Sequence, residues 1–366
     1  MLEQADLSRG THESFTTTDP ERTIEFEFVR ATENAALNVL HWLGRGEKEK
    51  ADAAACDAIN GVFDLVDICG EVVIGEGVKD QAPGLFLGDR LGTWKPGSPR
   101  FDIAVDPIDG TTNLANGLPN SISVMAASQW RVVSDRGGTP AMHHIPSFYS
   151  MKLAFGPAVV KALTTGARPI QIDDPLADVL RTVAEALGKR VQELVVVMLN
   201  RPRHAEFIAG VRKVGAALRL IGDGDITAAV APSLPDSGVD LYYGVGGSPE
   251  GVLTAAALKA LGGGMLLRMW PRDDTERNSL RAQLSEAELA RVFCVDDLVH
   301  GESAMFCATG ISDSSLLPGV RLTGQKAITH SILMRAHSRT IRYIRAVHDL
   351  GHKTIHLRSL RGDRKL

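Results

Sequence analysis

A chain of 366 residues, 44% hydrophobic and 23% charged, is long enough for one large domain or two fused ones and apolar enough to bury a true core. A formal net charge of −4 and a pI near 6.3 exclude the broad cationic surface of a nucleic-acid-binding domain, yet allow an anionic substrate held by a local cluster of metal ions and arginines. No apolar run approaches the ~20 residues of a spanning helix, so no membrane partner is expected.

Residues 1–21 read as a flexible N-terminal extension, without the apolar stretch of a signal peptide. Four cysteines, Cys56, Cys69, Cys294 and Cys307, form no C-x-x-C pair. That argues against a zinc site or a disulfide scaffold and fits reduced core residues of a cytoplasmic protein. Over 22–44 the apolar residues Phe28, Ala31, Ala35, Val39 and Trp42 fall at helical spacing, and Gly44-Arg45-Gly46 breaks the pattern. An alanine-rich helix follows over about 50–66, with Asp52 in its first turn, where an acid complements the helix dipole. Val72-Val73-Ile74 reads as a strand closed by Gly75 and followed by Glu76. Residues 101–105 form a strand that ends on Asp106, and 121–127 and 152–155 are further strands.

A boundary near 165–175 divides a metal-binding half (22–170) from a substrate-facing half (171–366). In the latter, strands at 195–199, 217–221 and 239–243 alternate with helices at 204–214 and 249–261, and 262–284 reads as a loop. The alternation predicts a layered α/β architecture.

The sharpest motif is Asp106-Pro107-Ile108-Asp109-Gly110-Thr111-Thr112-Asn113 at a strand end. Pro107 discourages further pairing, so the chain turns and can bring both carboxylates towards one point. Oxygen ligands of this kind suit Mg²⁺ or Mn²⁺. Gly110 lets the backbone approach a ligand, the amides after it can point at a phosphate, and the Thr111 hydroxyl can orient an attacking water. The plainer alternative is an Asx-type turn whose aspartates cap backbone amides. Other acids are Asp52, Glu76 between glycines, and Glu250 in Gly246-Gly247-Ser248-Pro249-Glu250-Gly251, where Ser248 resembles an N-cap. Each also has a structural reading as a turn or first-turn acid.

Together these motifs resemble the class II fructose-1,6-bisphosphatases and the related cyanobacterial fructose-1,6-/sedoheptulose-1,7-bisphosphatases, within the lithium-sensitive, Mg²⁺-dependent phosphatase superfamily. The similarity runs over about 25–356. Besides the central motif it is carried by Trp42-Leu43-Gly44-Arg45-Gly46, Ile74-Gly75-Glu76-Gly77, Tyr149 with Lys152-Leu153, Arg201-Pro202-Arg203-His204, Asp223-Gly224-Asp225 and Pro249-Glu250-Gly251. The resemblance implies that Asp52, Glu76, Asp106, Asp109 and Glu250 are metal ligands. It implies that Asp109, Gly110, Thr111, Tyr149, Arg201, Pro202, Arg203, Asp223, Gly224, Asp225 and Gly247 contact substrate, and that Thr111 is catalytic. It also implies an α-β-α-β-α sandwich in dimers or tetramers. Asp109 departs from the glutamate usual in this family, and His143-His144 have no counterpart and read as loop residues.

The reaction expected is hydrolysis of the 1-phosphate of fructose 1,6-bisphosphate with Mg²⁺ or Mn²⁺ as cofactor. Glu76 and Asp109 join Thr111 in the catalytic group, Arg201 and Arg203 hold the distal phosphate, and Asp223 and Asp225 accept hydrogen bonds from sugar hydroxyls. Rival readings are a bifunctional fructose/sedoheptulose bisphosphatase, an inositol monophosphatase, disfavoured by the missing W-D-x-A-A-like motif, and an inactive sugar-phosphate sensor.

Overall fold

A computed structural model describes residues 19–75, 84–132 and 138–366, with backbone alone at 131, 132, 138 and 139. The expected extension lies outside these residues up to position 18. Helix α1 (Pro20–Asn38) begins where Asp19 accepts the Glu21 amide and Pro20 fills the first turn, a site where a missing N–H is harmless. Arg335 pairs with both Asp19 and Glu21, so the far end of the chain holds this start in place. Helix α2 (Lys48–Phe63) packs on α1, with Phe28 and Phe63 edge to face at 5.0 Å.

In chain order the elements that matter next are β1 (Cys69–Ile74), β2 (Arg100–Asp109), α3 (Thr111–Ala115), β3 (Ile122–Gln129), β4 (Tyr149–Phe155), β5 (Val195–Leu199) and β6 (Ala217–Ile221). They are followed by α4 (Asp225–Val230), β7 (Leu241–Gly247), α5 (Ser248–Leu261), β8 (Gly264–Trp270), β9 (Met305–Gly310), β10 (Lys326–Arg335) and β11 (Thr340–Asp349). The first sheet runs β10-β9-β3-β2-β1, edged by Arg90–Leu91 at β1 and by Arg321–Thr323 and β11 at β10. Only its β1–β2 pairing is parallel. The second runs from Val292–Cys294 through β8, β4, β7 and β5 to β6.

Helix α5 explains why two sheets can stack. Val252, Leu253, Ala255, Ala256, Ala257 and Leu258 are all fully buried, so the helix is apolar all round. It packs against β2, β3, β9 and β10 on one side and against β4, β7 and β8 on the other. Its alanines keep the layer thin, while each buried Leu or Val contributes about 1.5–3 kcal/mol. Helices α1 and α2 cover the outer face of the first sheet. On the outer face of the second, Pro157–Thr164, Leu176–Leu187 and Ala205–Val214 bury Val159, Leu180, Val183 and Val211. The order is α-β-α-β-α, the sandwich that the resemblance implied.

Three expectations change. The 262–284 loop contains β8 and the helix Asp274–Arg281; Met265, Leu267 and Met269 are buried in alternation where β8 pairs with β4. The glycines there serve a different end: Gly262, with φ +74°, ends α5 in the left-handed region. Strand β2 does not stop at Asp106 but reaches Asp109 through a bulge, with Asp106 opposite Val124 and Asp109 opposite Ile122. Pro107 has no N–H for the ladder, which accounts for the bulge there. The sheets also cut across a boundary near 170, since β4 lies in the second sheet while β9, β10 and β11 return to the first.

Candidate active site

The bulge delivers the chain to Gly110, whose φ of +91° is left-handed; a Cβ there would lie 2.2 Å from the Asn120 carbonyl oxygen. Thr111 can therefore start α3 directly after Asp109. Its Oγ1 lies 2.9 Å from the Ile108 carbonyl oxygen and 3.3 Å from Oδ1 of Asp52. An acid from α2 thus meets the hydroxyl of the central motif across 59 residues of sequence. One turn before Asp52 on the same helix, Lys48 donates to Thr112 Oγ1 at 2.9 Å. Sequence reasoning missed Lys48; the signal was its i, i+4 spacing from Asp52, which puts both on one face of α2.

The two motif aspartates differ. Asp106 Oδ1 accepts the Ile108 amide at 3.1 Å, the Asx turn that its sequence allows. Asp109 is buried, and its two oxygens accept the amides of Asp225 and Ile226, each at 3.1 Å, so it caps α4 from another sheet strand. Burial pushes its carboxyl well above the usual range, helped by the negative charges of Glu250, Asp225 and Asp223.

Glu250 stands in the first turn of α5, also buried, and burial raises its carboxyl pKa while Lys152 works the other way. Its Oε2 is buried with no hydrogen-bond partner. A Cβ on Gly247 would fall 1.9 Å from that atom, and one on Gly246 would fall 2.0 Å from Oδ2 of Asp225. The paired glycines let two acids lie against the end of β7.

Asp225 is turned inward: it is 5% exposed, and its carboxylate is engaged by the buried Lys152 ammonium and the Tyr242 hydroxyl. Lys152 also donates to the Gly247 carbonyl oxygen at 2.8 Å. Of the two acids expected to face the sugar, Asp223 is the half-exposed one; it accepts the Thr112 amide at 3.2 Å and lies 3.5 Å from Arg201. Between them Gly224, at φ +90°, approaches the Asn120 carbonyl too closely for any side chain.

Arg203 donates twice to the Val245 carbonyl oxygen, at 3.1 and 2.9 Å, and its guanidinium lies 4.4 Å above the Tyr149 ring. His204 fixes the Arg201-Pro202-Arg203 turn from below, with Nδ1 2.6 Å from the Leu199 carbonyl oxygen and Nε2 accepting the Val245 amide at 2.7 Å. Pro202 is exposed at the head of this turn. His143 and His144 lie in a loop, as expected, with the His143 ring 5.0 Å from Phe293.

Glu76 falls outside the described residues. Among those described, no group of three or more acids, histidines or cysteines is drawn together as a ready metal cage. The donor set nonetheless fits a hard cation, because Glu250 buries an orphaned carboxylate oxygen beside the buried, mutually repelling Asp109. A separate cavity of about 670 Å³, bounded by Arg30, Asn34, Lys353 and His356, shares no residue with this set. No helix of the described residues is long and apolar enough to cross a membrane.

Residues 22–348 match the family model of the bacterial, glpX-encoded fructose-1,6-bisphosphatases. The chain is 41% identical over 344 residues to fructose-1,6-bisphosphatase 1 class 2 of Escherichia coli K12, covering 91% of this chain and 97% of the relative. The class 2 fructose-1,6-bisphosphatases of Escherichia coli O6:H1 and Shigella flexneri match to the same extent.

Proposed function

The chain belongs to the bacterial fructose-1,6-bisphosphatase family, class 2, and on that premise we propose that it hydrolyses fructose 1,6-bisphosphate at the site around Asp109 and Thr111. The products are fructose 6-phosphate and inorganic phosphate: water attacks phosphorus in line, and the bond from phosphorus to the C1 oxygen breaks. Asp52, Glu76, Asp106, Asp109 and Glu250 would hold Mg²⁺ or Mn²⁺, which when bound neutralise phosphate oxygens and make water more acidic.

The remaining chemistry belongs to this chain's own groups. The Thr111 hydroxyl, set between the Ile108 carbonyl and Asp52, is the hydrogen-bonding group that orients the attacking water. Lys48 adds a cation beside the same turn. Arg201 and Arg203 receive the distal phosphate, with Tyr149 fixing the plane of the Arg203 guanidinium. Asp223 accepts a hydrogen bond from the sugar. Gly110, Gly224 and Gly247 keep backbone close to the reacting groups, and Asp225 positions the Asp109 cap from beneath.

The meeting of Asp52 with Thr111 carries this reading, since it joins α2 and the central motif at one hydroxyl. Phosphate release from fructose 1,6-bisphosphate, sedoheptulose 1,7-bisphosphate and inositol monophosphate, with Mg²⁺ or Mn²⁺, tests it. The fructose ester should have the highest kcat/KM; a preference for inositol monophosphate would overturn it.

A further inference from the structure

Past the end of β8 the chain turns at Pro271 and enters the helix Asp274–Arg281. Asp273 already caps that helix, accepting the Glu276 amide at 2.8 Å. The Glu276 carboxylate is therefore not needed as a cap, and it takes two backbone amides with separate oxygens. Phe148 donates to Oε1 at 2.6 Å and Arg272 donates to Oε2 at 2.9 Å. Phe148 lies 128 residues away in sequence, immediately before β4. The ladder between β4 and β8 ends at the Tyr149–Trp270 pair, one residue short of Phe148. The carboxylate thus takes up an amide that the sheet leaves open.

Phe148 is 52% exposed, so its ring adds little to the core. It stands perpendicular to the Tyr149 ring at 4.7 Å, with the Arg272 guanidinium 4.9 Å from its own centre. Tyr149 in turn carries the Arg203 guanidinium at 4.4 Å. Contacts therefore run from Glu276 through Phe148 and Tyr149 to Arg203. We propose that Glu276 is a positioning residue for the distal phosphate: by clamping the Phe148 and Arg272 amides it fixes the aromatic pair on which Arg203 rests. The proposal rests on the reading that Arg203 receives that phosphate. A guanidinium held in one plane loses less freedom on binding phosphate bidentately, so a loosened support lowers affinity rather than rate. The Phe148 carbonyl also accepts the Ser248 amide at 3.1 Å. The Ser248 hydroxyl is held separately by those of Ser147 and Ser150, at 3.2 and 2.6 Å, so the start of α5 keeps other ties when Glu276 is replaced.

Steady-state kinetics with Mn²⁺ on fructose 1,6-bisphosphate, and on fructose 1-phosphate, which lacks the distal group, test the proposal. Glu276→Ala should raise KM for the bisphosphate by roughly two- to tenfold, the worth of one hydrogen bond. Its kcat, and both constants for fructose 1-phosphate, should change little. Phe148→Ala, which removes a ring outside the core, should do the same. Asp274→Ala, whose side chain on the same helix is 98% exposed, should leave both substrates at wild-type values. In an Arg203→Ala background Glu276→Ala should add nothing, because it acts through that guanidinium. An unchanged bisphosphate KM in Glu276→Ala, equal losses on both substrates, or additive effects of Glu276→Ala and Arg203→Ala would each overturn the proposal alone. A wild type that releases no phosphate from the bisphosphate, or an Arg203→Ala variant with wild-type KM, would overturn the reading beneath it and the proposal with it.

Discussion

The acids between β2 and the start of α5 and the arginines at the end of the second sheet stand in opposite states of readiness for the proposed substrate. Between the end of β2 and the first turn of α5 the acids are buried and poorly compensated: Asp109 is raised well above the usual carboxylate range, and Glu250 hides an oxygen without a partner. At the second sheet the charges are half-buried and already matched, with Arg203 on the Val245 carbonyl and Tyr149, and Arg201 near Asp223. The first region is unfavourable until positive charge arrives; the second is preorganised. Reaction and recognition are thus expected to fail in different ways when each region is disturbed.

The strongest way to break that contrast is to remove divalent cations. Activity should vanish in excess chelator and return with Mg²⁺ or Mn²⁺, whereas Tyr149 and Arg203 should keep their packing, read by near-ultraviolet circular dichroism. Full turnover in chelator would remove the contrast altogether. Next in size is Thr111→Ala. Loss of a positioned group of this type lowers kcat by ~10²-fold or more, and KM should stay nearly constant because the distal subsite is untouched. A wild-type kcat would reduce Thr111 to its hydrogen bond with Ile108, a turn residue only.

What the sequence made legible follows from how local each signal was. Strands β5 and β6 match the expected 195–199 and 217–221 because β-branched or apolar runs were bounded by turn residues. The central motif was readable because Pro107 and Gly110 impose their geometry on neighbours alone. The strand β8 was hidden by Gly262-Gly263-Gly264, which end a helix and enter a strand without an intervening loop. Strand β9 is buried along its whole length, so it shows no alternation to read. Lys152 gave no sign of its role, since its partner Asp225 lies 73 residues further on. Asp109 was expected as a ligand, but that its two oxygens also cap α4 depends on a contact across 116 residues.

A third test sharpens the recognition side. Arg203→Ala should raise KM for fructose 1,6-bisphosphate by roughly ten- to hundredfold, the value of an ionised hydrogen-bond partner of ~1.5–3 kcal/mol. Hydrolysis of a sugar monophosphate, with nothing to place in that subsite, should change far less. Equal losses on both would assign Arg203 to the support of Tyr149 and Val245 instead.

The smallest effect probes the cost of the unmatched acids directly. In the cation-free protein the folded-state pKa of Glu250 is raised by burial above its unfolded value of about 4.3. Below that value both states carry the proton, and the residue does not affect stability. As pH rises, the unfolded chain releases the proton while the folded chain holds it, so the folded state binds more protons and stability falls with pH. Replacing the acid by Glu250→Gln removes this contribution. In chelator, the melting temperature of Glu250→Gln relative to wild type should therefore climb as pH is raised from about 4 towards neutrality. A buried, unsatisfied polar group costs about 1–3 kcal/mol, which corresponds to a difference of a few degrees. Saturating Mg²⁺ or Mn²⁺ should reverse the order, because the carboxylate then gains the partner that its Oε2 lacks. A difference flat in pH, or one that cations leave unchanged, would mean that Glu250 is accommodated without them and that the two regions are not opposites.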